Sequence, residues 1–190
     1  MSKMNFLQER FGRYFLKLRV KKTKRKLHVS TFDTAQNIAI IYDNSGTLSN
    51  GKPLYVNQKI KNFTQTIAGI HAETKITLLG FCSTTYTKQL HKTEVFSSEI
   101  FTKKDFTWYG TAKSETLEKF INTPFDMLID LSVEQNFPLE YIVQLSKASF
   151  KIGRLNQSLL YDFMIDIKNE KNIDYLIQQI SVYLPSLKQK

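Results

Sequence analysis

Residues 125–154 read FDMLIDLSVEQNFPLEYIVQLSKASFKIGR, and they decide the fold. Phe125 to Leu131 is a short apolar run broken only by Asp126 and Asp130, the pattern of a strand buried on both faces. Polar loop residues follow. Pro138 then suits the first turn of a helix, where its missing N–H leaves nothing unsatisfied. Leu139, Ile142, Val143 and Leu145 give that helix its apolar positions, and Phe150 to Gly153 reads as another short strand. A strand, a helix and a second strand within roughly 30 residues make a βαβ unit, whose strands run parallel.

Working outward, the same alternation continues. Asn37-Ile38-Ala39-Ile40-Ile41-Tyr42 is a β-branched run suited to a central strand, followed by loop residues Asp43-Asn44-Ser45-Gly46 and Ser49-Asn50-Gly51-Lys52-Pro53. Val56, Ile60, Phe63, Ile67 and Ile70 recur at helical spacing. Lys75 to Cys82 predicts a second strand and Glu94 to Phe101 a third, and Phe106-Thr107-Trp108-Tyr109-Gly110 an aromatic loop or edge segment. Ser114 is placed to cap a helix bearing Leu117, Phe120 and Ile121. Tyr161 to Ile167 predicts the last strand. Ile173, Leu176, Ile177, Ile180 and Leu184 predict a closing helix stopped by Pro185. The expectation is one Rossmann-like α/β domain over residues 31–190, a mostly parallel sheet with helices on both faces.

Residues 1–30 differ in kind. They hold ten basic residues against one acid, Glu9, a net charge of +9 in a chain whose total is +10. The body is therefore close to neutral, and the charge points to a polyanionic surface met by the N-terminus. Met4, Leu7, Phe11, Tyr14 and Leu18, widened by Phe15, form the apolar stripe of an amphipathic helix. Arg10, Arg13, Lys17, Lys21 and Lys24 form a second stripe beside it. From Arg19 to Lys26 the chain is almost wholly cationic, with Lys22, Arg25 and Lys26 completing the basic set. Gly12 weakens such a helix by about 1 kcal/mol relative to Ala, so packing must help to hold it.

Four roles suit this arm. It could pack on its own domain with its cations reaching to water. It could contact nucleic-acid phosphate, with steep salt dependence. It could lie on an anionic membrane, Phe and Leu inserted. It could meet an acidic protein. RNA within a ribonucleoprotein such as the ribosome is the first expectation, with Arg10, Arg13, Lys17, Arg19, Lys21, Lys22, Lys24, Arg25 and Lys26 on phosphate and no DNA sequence specificity. A membrane surface or membrane complex is the alternative. Phe11, Phe15 and Leu18 are expected to pack on the body or on a protein neighbour.

Residues 125–154, with DFTWYG at 105–110, resemble an uncharacterised bacterial domain family of unknown function, which brings no activity with it. The same region is distantly similar to the N-terminal half of heptosyltransferase-type glycosyltransferases, through Phe125-Asp126, Ile129-Asp130-Leu131 and Ile152-Gly153. That similarity implies a fold. The catalytic acid after the family's first strand is not matched by Asp43-Asn44-Ser45-Gly46. Those enzymes also use a second α/β domain, which 190 residues are not expected to hold.

Other chemistry is sparse. Asp43, Asp130 and Lys52 are placed for a ligand pocket at strand ends, using a nucleotide or sugar phosphate; the plainer reading is that the carboxylates bond loop amides. Gly46, Gly51 and Lys52 have phosphate-loop spacing, but Pro53 replaces the required Ser or Thr. His28, His71 and His91 are scattered and predict no metal, and the lone Cys82 allows neither a disulfide nor a zinc cluster. No cofactor is expected. Trp108 and Tyr109 could stack a base or anchor a partner, or simply pack. No apolar run nears the ~20 residues of a membrane span, and Glu9, Arg10 and Arg13 interrupt any secretory signal. The expected location is the cytoplasm or its membrane periphery, and the first expected role is non-catalytic, with a small nucleotide- or sugar-phosphate-binding enzyme as a further alternative.

Overall fold

The structure, a computed structural model, describes residues 6–45, 54–82, 96–157 and 160–187. Among these residues six strands form one parallel sheet: β1 (Asn37–Asp43), β2 (Lys75–Cys82), β3 (Phe96–Thr102), β4 (Met127–Asp130), β5 (Phe150–Arg154) and β6 (Phe163–Ile165). Their order is β3-β2-β1-β4-β5-β6. β1 is central because both its faces are apolar. Ile38 and Ile40 face one helix layer while Ala39 and Ile41 face the other, and all four are fully buried. Ile40 is paired with Leu78 on one side and Ile129 on the other.

The helices are α1 (Phe6–Val20), α2 (Leu54–Ile70), α3 (Glu115–Asn122), α4 (Phe137–Leu145) and α5 (Ile173–Tyr183). α2 and α5 cover the Ile38 and Ile40 face with Ile60, Phe63, Ile67, Leu176 and Ile180. α3 and α4 cover the other face with Leu117, Phe120, Leu139, Ile142 and Val143, and Leu16 of α1 joins that cluster. Pro138 lies in the first turn of α4, and Pro185 falls in the single 3-10 turn that ends α5. Ser114 does sit at the N-cap of α3, but its side chain makes no capping bond.

From β1 the chain moves outward to β3, then returns to place β4 on the other side of β1. The order therefore reverses between β1 and β4, and the carboxyl ends of those two strands are where open sheets of this kind hold ligands. Asp126 ties their opposite ends together: its Oδ2 accepts hydrogen bonds from the backbone N–H of Gln36 and Asn37, both at 2.9 Å.

α1 lies on α4 rather than beside β1 or in projection from the body. After α1 the chain runs without regular structure past the start of β5, where the His28 N–H bonds the Ser149 carbonyl at 3.2 Å. It then enters the α2/α5 face, where Phe32 and Ala35 are buried. The basic segment is thus a strap that joins the two helix layers around one end of the sheet.

Candidate docking surface

Gly12 decides how α1 sits. A Cβ at Gly12 would lie 2.6 Å from Cζ of Phe137 and 3.0 Å from the carbonyl oxygen of Gly110. Gly110 has φ of +79°, a conformation that favours glycine, and it lets the 106–112 loop touch the helix backbone. The row of α1 that meets the body is Gln8, Gly12, Leu16 and Arg19. Gln8 Nε2 donates to the Thr107 carbonyl at 2.8 Å, and Leu16 is only 2% exposed.

Three arginines of the basic set fasten the segment. Arg13 bonds Glu9 at 2.7 Å and the buried Glu140 at 2.9 Å, with its guanidinium over the Phe137 ring. Burial works against that charge, but Glu9 and Glu140 outweigh it and the Arg13 pKa is raised. Arg19 pairs with Glu118 at 3.0 and 3.1 Å and donates to the Tyr141 hydroxyl at 2.7 Å. Arg25 makes two bonds to Asp162, at 2.5 and 2.8 Å, and one to the Ser149 carbonyl at 3.1 Å. Planar, forked guanidinium groups suit these paired contacts better than Lys would.

The other six cations, Arg10, Lys17, Lys21, Lys22, Lys24 and Lys26, are exposed, and none has a carboxylate partner among the described residues. Beside them lies the apolar stripe. Because the Gly12 row takes the body-facing side, Leu7, Phe11, Tyr14 and Leu18 are turned outward. With Phe6 and Phe15 they are 37–74% exposed. Met4 lies outside the described residues. Phe15 keeps one ring contact with Tyr109, and Phe11 meets Trp108 edge to face at 6.3 Å. Trp108 is itself 76% exposed, so the loop extends the apolar surface of the helix. This two-part face, apolar and cationic side by side, is the main candidate site on the molecule.

The strand-end residues are engaged within the protein. Asp43 Oδ1 accepts from the Ser45 N–H at 2.8 Å, and its Oδ2 accepts from Asn136 Nδ2 at 2.7 Å, which ties β1 to the start of α4. Asp130 is buried. Its Oδ1 accepts from the Ser132 N–H at 2.8 Å and its Oδ2 from the Tyr161 hydroxyl at 2.6 Å. Burial pushes the Asp130 carboxyl upward, and burial with Asp130 nearby pushes the Tyr161 hydroxyl upward too. Asp166 repeats the turn, accepting from the Lys168 N–H at 2.9 Å. An Asp closing a turn onto the amide two residues on is a local device that D-x-S or D-x-K at a strand end makes legible.

Lys52 lies outside the described residues. Asn44, next to Asp43, is buried with no partner for its Oδ1 among the described residues. A cleft of about 240 Å³ opens at the ends of β5 and β6, among Val133, Glu134, Arg154, Asp166, Lys168 and Lys171, and neither Asp43 nor Asp130 lines it. Among the described residues, no cluster of His, Cys, Asp and Glu could hold a metal ion. Cys82 is buried.

The Family of unknown function (DUF6913) matches residues 8–187, from the first turn of α1 to the turn after α5. The chain belongs to this family. No curated protein and no solved structure matches it. The DUF6913 match takes in both the basic segment and the sheet.

Sequence reasoning missed the body-facing row of α1. Gly12 was its one visible signal, a glycine that a free helix would not favour, and TWYG at 107–110 was the other half of that contact.

Proposed function

We propose that the protein is a non-catalytic docking protein, an α/β body that displays α1 and its cationic strap to an anionic partner. The observation that supports this most is the orientation of α1. Arg13, Arg19 and the Gly12 row hold it against α4 and α3, while its outward face keeps Arg10, Lys17 and a run of large apolar side chains, and the strap after it exposes Lys21, Lys22, Lys24 and Lys26. Exposing such a face costs free energy in water, and a partner that covers it recovers that cost. Charge alone suggests RNA within a ribonucleoprotein, where phosphate would take up the cations and a neighbouring protein the apolar stripe. A membrane surface or membrane complex is the second reading, favoured by the apolar stripe itself, which bare phosphate does not satisfy.

The enzymatic reading, a small nucleotide- or sugar-phosphate-handling protein using Asp43, Lys52 and Asp130, has less support. Each oxygen of Asp43 and Asp130 already accepts a bond from the protein, and the cleft described above, among the described residues, is lined by neither.

The test is capture of partners from native cells by the intact chain and by an Arg10→Glu, Lys17→Glu, Lys21→Glu variant, with RNA, lipid and protein identified. The docking reading expects the variant to release its anionic partner at much lower salt. Equal retention of the same partners by both chains would overturn it.

A further inference from the structure

We infer that the partner of this face is an anionic lipid bilayer, on which α1 lies in the plane of the interface with Trp108 as a second point of insertion. The inference rests on the docking reading above and names the chemistry of its partner.

The side chains themselves argue for lipid. Phe6, Leu7, Phe11, Tyr14, Phe15, Leu18 and Trp108 expose on the order of 800 Å² at about 200 Å² per large side chain, above the 300–600 Å² of the largest patch on a typical monomer. Aromatic rings could stack on unpaired bases, but Leu7 and Leu18 could not, and RNA would leave both in water. Hydrocarbon takes up aliphatic and aromatic groups alike. Tyr14 and Trp108 carry a polar tip on an apolar ring and suit the headgroup level.

The charge lies in the matching place. Arg10 and Lys17 on α1, and Lys21 in the turn just after it, lie beside the apolar stripe, so they would sit at headgroup height when the stripe is immersed. The same arrangement disfavours a second copy of the chain, since a symmetric pairing through this patch would bring two cationic stripes together. No helix among the described residues is long and apolar enough to cross a membrane, so α1 is suited to lie on one. Its attachment to α4 through Gly12 means that the helix need not fold on arrival. The ordering cost of a free amphipathic peptide is already met.

The experiment uses the full chain, vesicles of phosphatidylglycerol with phosphatidylcholine, vesicles of phosphatidylcholine alone, and a single-stranded RNA homopolymer. Trp108 is the one tryptophan of the chain, and it reports from within the patch. Anionic vesicles are expected to float the protein and shift Trp108 emission to the blue. Neutral vesicles are expected to bind about 30- to 150-fold more weakly, given about fivefold for each of two or three cations near the surface. A Phe11→Ser, Leu18→Ser variant is expected to bind anionic vesicles at least about tenfold more weakly, from the loss of two inserted side chains, with unchanged circular dichroism. Salt-sensitive RNA binding without vesicle binding would overturn the lipid assignment and leave the docking reading standing. Binding to neither would overturn both. Vesicle binding with unshifted Trp108 emission, or with the Ser variant unaffected, would also overturn the lipid assignment.

Discussion

Replacing Gly12 with Ala separates two opposite expectations. On an exposed helix this change raises stability by about 1 kcal/mol, because Ala loses less backbone freedom and shields the helix backbone. Here the added Cβ would stand 2.6 and 2.8 Å from ring carbons of Phe137 and 3.0 Å from the Gly110 carbonyl. Phe137 cannot swing aside cheaply, since it is buried, packs on Tyr141 and lies under Arg13. Gly110 cannot retreat without disturbing a backbone held at φ of +79°. Overpacking of this kind costs about 1–3 kcal/mol, and the two rigid neighbours place it toward the upper end. Against the helix gain, the net is a loss of about 1–2 kcal/mol, or a fall in Tm of about 2–8 °C for a chain of this size. Thermal unfolding gives the sign, and amide exchange across α1 gives the location, since a lifted helix exchanges faster from residue 8 to 20. A rise in Tm would show that Gly12 is not in contact with the body, and the assigned orientation of α1 would fall with it.

Two further outcomes follow from buried charge and one from an exposed ion pair. Lys151 sits inside β5 with Nζ on the Val143 carbonyl, and burial, with Arg25 adding to it and Asp162 opposing, lowers its pKa to about 8. The unfolded chain holds that proton more tightly, so stability should rise by about 3 kcal/mol between pH 8 and about 10.4, at 1.36 kcal/mol per unit. Urea titrations across that range should show the rise in the natural chain and a flat profile in Lys151→Met; parallel slopes would refute the assignment. Asp130 has the opposite sign: its pKa is raised on folding, so its contribution is largest below the unfolded value near 4 and declines as pH rises toward its folded value. Asp130→Asn should remove that decline in denaturant titrations, and an unchanged slope would sink the idea. Arg25→Ala breaks the solvent-exposed, two-bond pair with Asp162 and should cost about 1 kcal/mol. It should also speed amide exchange at His28, whose bond to Ser149 lies beside it; unaltered exchange there would mean that the strap is held by other contacts.

Much of the fold was legible because a parallel sheet buries its strands on both faces. The run at 37–42, the pair of strands around α4, and the helical spacing of Ile60, Phe63 and Ile67 each carry that signature within a few residues of chain. The seating of α1 was not. Its apolar stripe is the stronger hydrophobic pattern, yet the body is met by the weaker row of Gln8, Gly12 and Leu16. Hydropathy ranks side chains by burial preference, whereas here a close backbone approach at Gly110 and three long-range ion pairs decide the face. The partners Glu140, Glu118 and Asp162 lie 99 to 137 residues away from their arginines, and no local pattern joins them. The strand-end carboxylates show the converse. Asp43 and Asp130 were correctly placed at the ends of β1 and β4, but their partners Asn136 and Tyr161 come from elsewhere in the chain.

Hydroxyl-radical footprinting of the intact chain, free and then bound to its anionic partner, tests the orientation of α1 most directly. In the free protein, Phe11, Tyr14, Leu18 and Trp108 should label heavily while Leu16 stays protected, and binding should protect the first four together. Protection of Phe11 and Leu18 in the free protein, with Leu16 labelled, would mean that the apolar stripe faces the body, and the docking face described here would not exist.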